Sequence, residues 1–190
     1  MRAFVAVALP EDVRVAIAAQ VPRLRETLHD VTWTPPENLH TTLKFLGAVD
    51  DPIPLWRAVT DRLGSSAAFT VVARGLGAFP GPDSAKVIWA GIEDQAGRLS
   101  ALASEVESVA ARFGCSREQR AYTAHVTIGR VRRGALDVSS ALAVAAGRPF
   151  GMVPVDAVVL YESRSGHTGP QYIERGRVFL GQGASHGDPG

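Results

Sequence analysis

The amino-acid sequence predicts an α+β fold built mainly from antiparallel sheet. Strand-like and helix-like runs are interleaved without a regular strand–helix alternation, which argues against a doubly wound parallel sheet. Of the 190 residues, 46% are hydrophobic and 21% charged, as in ordinary globular chains long enough to bury a sizeable core. One short pattern also recurs: His40-Thr41-Thr42-Leu43 and His125-Val126-Thr127-Ile128 are both His-x-Thr-aliphatic and lie 85 residues apart.

Taken in order, Phe4 to Leu9 reads as a buried opening strand. Pro10, Glu11 and Asp12 then suit a first helical turn, where a missing N–H is harmless and negative charge meets the positive end of the dipole. Val13, Ile17, Val21, Leu24 and Leu28 recur at helical spacing, predicting a helix over about 10–28 with a kink or break at Pro22. Pro35-Pro36 makes a stiff turn. From Asn38 to Gly47, Leu39, Thr41, Leu43 and Phe45 share one parity, and His40, Thr42 and Lys44 the other. That is a half-buried strand, with Phe45 expected in the core and Lys44 in solvent.

A helix over about 52–63 follows, then strands over 69–73 and 86–92 with a Gly- and Pro-rich loop between them at 75–83. Residues 95–113 read as a helix ended by Gly114, 125–131 as a strand and 136–146 as a helix. Strands over 155–162 and 172–180 close the pattern as a hairpin around the Gly-rich stretch 165–170. A single domain over 1–180 is expected, with a frayed tail at 181–190.

Twenty basic against nineteen acidic side chains give +1, which excludes binding long nucleic acid by bulk charge. A local cluster such as Arg117, Arg120, Arg130, Arg132 and Arg133 can still attract a small anion. The single cysteine, Cys115, forms no intramolecular disulfide and suits a reducing compartment. No secretory leader is evident, and the apolar runs are too short for a membrane span, so a cytoplasmic protein without a membrane partner is expected. No His-Glu-x-x-His or paired Cys-x-x-Cys occurs, so no metal is expected. Gly75, Gly77 and Gly81 have the wrong spacing for a dinucleotide loop, so no cofactor is expected.

Residues i and i+2 of a strand share a face, so each His-x-Thr presents an imidazole beside a hydroxyl. Two such strands facing one groove suit in-line displacement at phosphorus. One neutral imidazole deprotonates the attacking oxygen while the other, protonated, donates to the leaving oxygen. Histidine fits because its ordinary pKa, about 6.5, allows both states near neutrality. The threonine hydroxyls can donate to the phosphate oxygens.

The stretch Trp33-Thr34-Pro35-Pro36-Glu37-Asn38-Leu39-His40-Thr41-Thr42-Leu43-Lys44-Phe45-Leu46-Gly47 resembles the first signature of the 2H phosphoesterases. Ala124-His125-Val126-Thr127-Ile128-Gly129-Arg130 resembles the second. More specifically, both are similar to those of the RNA 2′,3′-cyclic phosphodiesterases first named 2′-5′ RNA ligases (LigT-like). The opening Met1 to Val7, Leu160 to Ser163 and Gly169 to Tyr172 follow the same pattern.

The resemblance implies a two-lobed, pseudo-symmetric fold of antiparallel sheets and flanking helices, each lobe giving one His-x-Thr strand to a central cleft. It implies metal-independent opening of a terminal 2′,3′-cyclic phosphate to a 2′-phosphate, with His125 as general base and His40 as general acid. Thr42, Thr127 and Arg130 would hold the phosphate. Strict alternation puts Arg130 on the face opposite His125, so a bulge at Gly129 or a strand end is required.

The partner implied is RNA with a 2′,3′-cyclic phosphate end, a tRNA fragment or an oligonucleotide, acted on by a monomer. ATP-independent 2′-5′ ligation is the related transfer. The alternatives are the same chemistry on a small nucleotide, such as ADP-ribose 1″,2″-cyclic phosphate or a 2′-5′ oligonucleotide, and a non-catalytic RNA-end binding module.

Overall fold

Among the described residues, nine strands hydrogen-bond into one sheet in which every pair of neighbouring strands is antiparallel. The structure is a computed structural model and describes residues 1–166 and 169–181. The strands are β1 (Arg2–Ala8), β2 (Val31–Trp33), β3 (His40–Ala48), β4 (Phe69–Phe79), β5 (Val87–Glu93), β6 (His125–Val131), β7 (Pro149–Val155), β8 (Ala157–Gly166) and β9 (Gly169–Phe179). Their order is β7-β4-β5-β6-β3-β1-β8-β9, with the short β2 on β6. The two His-x-Thr strands, β3 and β6, are therefore neighbours at the centre, with β1, β8 and β9 beyond β3, and β5, β4 and β7 beyond β6.

The helices are α1 (Glu11–Ala18), α2 (Val21–Arg25), α3 (Ile53–Leu63), α4 (Arg98–Arg112) and α5 (Ser139–Ala143). The predicted 10–28 helix is thus two. α1 stops at Ala19, and Pro22 falls in the first turn of α2, where its missing N–H has no intrahelical partner to lose. In α3, Leu55, Val59 and Leu63 are buried one turn apart. In α4, Leu99, Leu102, Val106 and Val109 do the same, and Asp94 caps the start by accepting from the Leu99 and Ser100 amides at 3.0 and 2.8 Å. The helix expected over 136–146 shortens to α5, and β2 and β7 were not foreseen. Among the described residues, no helix is long and apolar enough to cross a membrane.

The loop predicted over 75–83 is mostly strand. β4 runs on to Phe79, pairing with β5 through Gly77, Ala78 and Phe79. Gly75, at φ +69°, makes a bulge that shifts the register between Arg74 and Leu76. Gly77 makes room for an indole: a Cβ there would lie 2.2 Å from Trp89 Cη2. These glycines serve a bulge and a close approach, not a turn.

The closing hairpin forms, but its strands run further than expected: β8 and β9 pair from Ala157–Phe179 up to Gly166–Gly169, through most of the Gly-rich stretch, and Val155 belongs to β7. The expected tail lies outside the described residues from 182 onward.

Candidate active site

β3 and β6 meet at the pair Thr41–Val126. The antiparallel register around that pair sets His40 toward Thr127 and Thr42 toward His125, so the two motifs are related by a local two-fold through the pair. The likeness extends further. In both strands the histidine is half-buried, the next residue buried, the threonine half-buried, the next two buried and the sixth exposed.

Two consecutive buried residues mean that alternation has slipped by one. Leu43 is skipped in the register of β3 on β1, and Ile128 in that of β6 on β5. Each motif thus carries a bulge at its aliphatic residue. On β6 the bulge comes one residue before Gly129 and turns Arg130 back toward the histidine face. The Arg130 charge is felt by His40, His125 and Tyr172 alike.

On β3 the same slip overturns two expectations. Lys44, expected in solvent, is only 2% exposed, and Phe45, expected in the core, is 56% exposed. Phe45 and Arg130 occupy equivalent places. The stripe of period two holds for His40, Thr42, His125 and Thr127 and fails beyond the bulge.

Each imidazole is held in the same way. His40 Nδ1 lies 2.7 Å from the Asn38 carbonyl oxygen, and His125 Nδ1 lies 2.7 Å from that of Thr123. A carbonyl only accepts, so Nδ1 carries the hydrogen and Nε2 of the neutral ring is left with its lone pair. Thr42 Oγ1 sits 3.0 Å from His40 Nε2, and Thr127 makes no such bond to His125. Asn38, itself buried, is fixed by donating from Nδ2 to the Pro170 carbonyl at 2.7 Å.

Burial pushes His40 below its ordinary pKa. The Asn38 carbonyl opposes this by favouring the charged ring, while the charges of His125 and Arg130 add to the lowering. His125 is lowered for the same first reason, against the Thr123 carbonyl and with Arg130. Burial thus favours the neutral form of both imidazoles, and the Arg130 charge acts on each in the same direction.

Aromatic side chains that sequence reasoning did not assign to the site wall in each histidine. Phe4 and Tyr172 lie 4.8 and 5.2 Å from the His40 ring, and Tyr161 at 6.4 Å. Phe79 stands edge-on to His125 at 5.0 Å, with Trp89 at 6.4 Å. Those around His40 lie on β1, β8 and β9, and those around His125 on β4 and β5. Only Phe4 and the two tyrosines lay within stretches that carried the resemblance. On the His125 side, Thr42, Phe45, Phe79, Arg120, Tyr122 and His125 line a cavity of about 370 Å³. Among the described residues, no group of three or more metal-ligating side chains occurs.

The profile of the 2′-5′ RNA ligase superfamily matches residues 13–167. An RNA 2′,3′-cyclic phosphodiesterase of Archaeoglobus fulgidus is 34% identical over 183 residues, 94% of this chain and 99% of that protein. One from Aeropyrum pernix is 34% identical over 140 residues, 72% of this chain and 78% of its own. Among solved structures, TT0787 of Thermus thermophilus superposes with a TM-score of 0.78 at 28% identity, covering 95% of this chain and 98% of that one. E. coli LigT, solved with 3′-AMP, gives 0.74 at 26% identity over 94% of this chain and 97% of its own. With both motifs in place and the match running through most of its length, the chain belongs to the 2′-5′ RNA ligase superfamily.

Proposed function

We propose that this chain is an RNA 2′,3′-cyclic phosphodiesterase that opens a terminal cyclic phosphate to a 2′-phosphate without a metal. The observation that carries the reading is the pair of equivalently held histidines on neighbouring strands, each with Nδ1 engaged by a backbone carbonyl and Nε2 left for chemistry. The relatives named RNA 2′,3′-cyclic phosphodiesterase support the substrate class.

In this mechanism His125 Nε2 takes the proton of the attacking water. Imidazolium His40 keeps its Nδ1–H on Asn38 and gives its Nε2–H to the departing 3′ oxygen. Resting burial disfavours that imidazolium, and the anionic diester seated between the rings favours it. Thr42, Thr127 and Arg130 hold the non-bridging oxygens, where charge persists through the transition state. A 5′-hydroxyl in place of water gives 2′-5′ ligation by the same proton movements, with no nucleotide triphosphate.

The test is a short RNA ending in 2′,3′-cyclic phosphate, incubated in EDTA, with 2′- and 3′-phosphate products resolved. Conversion to the 2′-phosphate is expected, and His40→Ala and His125→Ala should each slow it by about 10² to 10⁴, the usual worth of a general acid or base. A metal requirement, or near-normal rates in either variant, would overturn the mechanism. Turnover of ADP-ribose cyclic phosphate alone would move the activity to small nucleotides, and tight RNA binding without turnover would make the chain a binding module.

A further inference from the structure

The buried Lys44 is not needed for the chemistry just described, yet among the described residues it is the largest of the fully buried side chains. Its ammonium donates to the Ser116 carbonyl at 2.6 Å, pairs with Glu107 of α4 at 2.8 Å and lies 3.7 Å from Glu118. Glu107 in turn accepts from the Glu118 amide at 3.4 Å. Lys44 and Glu107 together therefore fasten the segment 115–124, which has no regular secondary structure and leads straight into His125.

That segment supplies the Thr123 carbonyl that fixes His125 Nδ1. It is pinned just before Thr123 by Tyr122, whose hydroxyl donates to the Thr42 carbonyl at 3.2 Å. At its far end it joins the sheet, where the Ile92 amide donates to the Ala124 carbonyl at 3.2 Å. Asn38 plays the matching part for His40, holding its own carbonyl in place through Pro170. The lysine of this pair is buried and the Glu107 side chain 21% exposed. Burying a charge in an ion pair is a poor way to gain stability, because apolar side chains of like volume serve as well, so its better-attested use is to fix one arrangement.

We infer that Lys44 is a positioning residue for His125: the strand of the first motif holds the segment that sets the tautomer and aim of the second motif's base. The inference takes the role of His125 from the proposed function, but its first readout does not depend on activity.

The test uses Lys44→Met and the double variant Lys44→Met/Glu107→Leu, which leaves no unpaired carboxylate at position 107. Nitrogen-15 NMR of the imidazoles should find His125 of the native protein as the Nδ1–H tautomer. Both variants should show a growing share of Nε2–H at His125 with His40 unchanged. In the RNA assay kcat should fall about 10- to 100-fold in both, the scale of a misplacement near 1 Å, with KM little altered. The limb of the pH profile belonging to His125 should move to lower pH, since the carbonyl bond that favours the charged ring is weakened.

An unchanged His125 tautomer in the double variant would overturn the inference. So would a defect in Lys44→Met that Glu107→Leu repairs, which would assign the effect to a stranded carboxylate. If the tautomer shifts but no substrate is ever turned over, the positioning stands and the proposed function fails.

Discussion

A histidine bonded to a carbonyl two residues earlier has its tautomer chosen by the backbone, and here both do. What remains adjustable is the charge, and Arg130 bears on both rings in the same direction. Because burial and Arg130 lower both imidazoles, each limb of the kcat/KM profile should fall below the ordinary histidine value of about 6.5. In the proposed mechanism, loss of the base form of His125 sets the acid limb, and loss of the acid form of His40 the alkaline one. Arg130→Met removes a cation that disfavours both imidazolium forms, so both limbs should move upward, alongside the weaker hold on the phosphate that the proposed mechanism expects. A profile whose limbs stay in place would separate Arg130 from the histidines. The histidines and threonines were legible in the sequence because duplication marks them. Their carbonyl partners were not, since any residue supplies a carbonyl.

Strand parity is a property of the element, and it failed where the elements bulge. The slip at Leu43 and Ile128 exchanges inside for outside in mid-strand, which hid the burial of Lys44 and the exposure of Phe45. At Arg130 the conflict between alternation and resemblance was itself the signal of a bulge. The glycines of β4 misled for a related reason, since composition does not distinguish a turn from room for a neighbour's ring. Gly77 lies under Trp89, which packs with Phe79 beside His125. Gly77→Ala should therefore lower stability by about 1–3 kcal/mol, the range for overpacking a filled site, and slow catalysis through the displaced indole. Urea unfolding checks the first effect. In a Trp89→Val background most of the stability cost should vanish, because the two changes share one contact; a cost that persists would place it in the strand backbone instead.

For the whole molecule, the pairing of β3 with β6 places two lowered histidines at the seam between the halves of the sheet. The strand order was not legible, because it rests on pairings between distant segments such as β1 with β8, whereas the echo of the motifs did anticipate that the two related strands lie side by side. Such a seam should carry a stability cost with a definite pH dependence. A histidine whose folded pKa lies below its unfolded one binds fewer protons in the native state. Stability is then full above the unfolded value, about 6.5, and declines as pH falls from there toward the folded pKa values. Glu162 acts lower on the scale: the Arg164 and Arg175 side chains bonded to it hold its carboxyl down at about 2, so its contribution is present above about 4.5 and lost on acidification toward 2. The two sources are separable. His40→Gln/His125→Gln should abolish turnover and yet flatten the decline in unfolding free energy between pH 7 and 5, while Glu162→Gln should leave that window alone and flatten the one beneath it. Denaturant unfolding across pH 3 to 7.5 measures both. A double-histidine variant with the native slope between pH 7 and 5 would show that neither imidazole is held neutral by the fold, and would remove the basis for placing both catalytic limbs below 6.5.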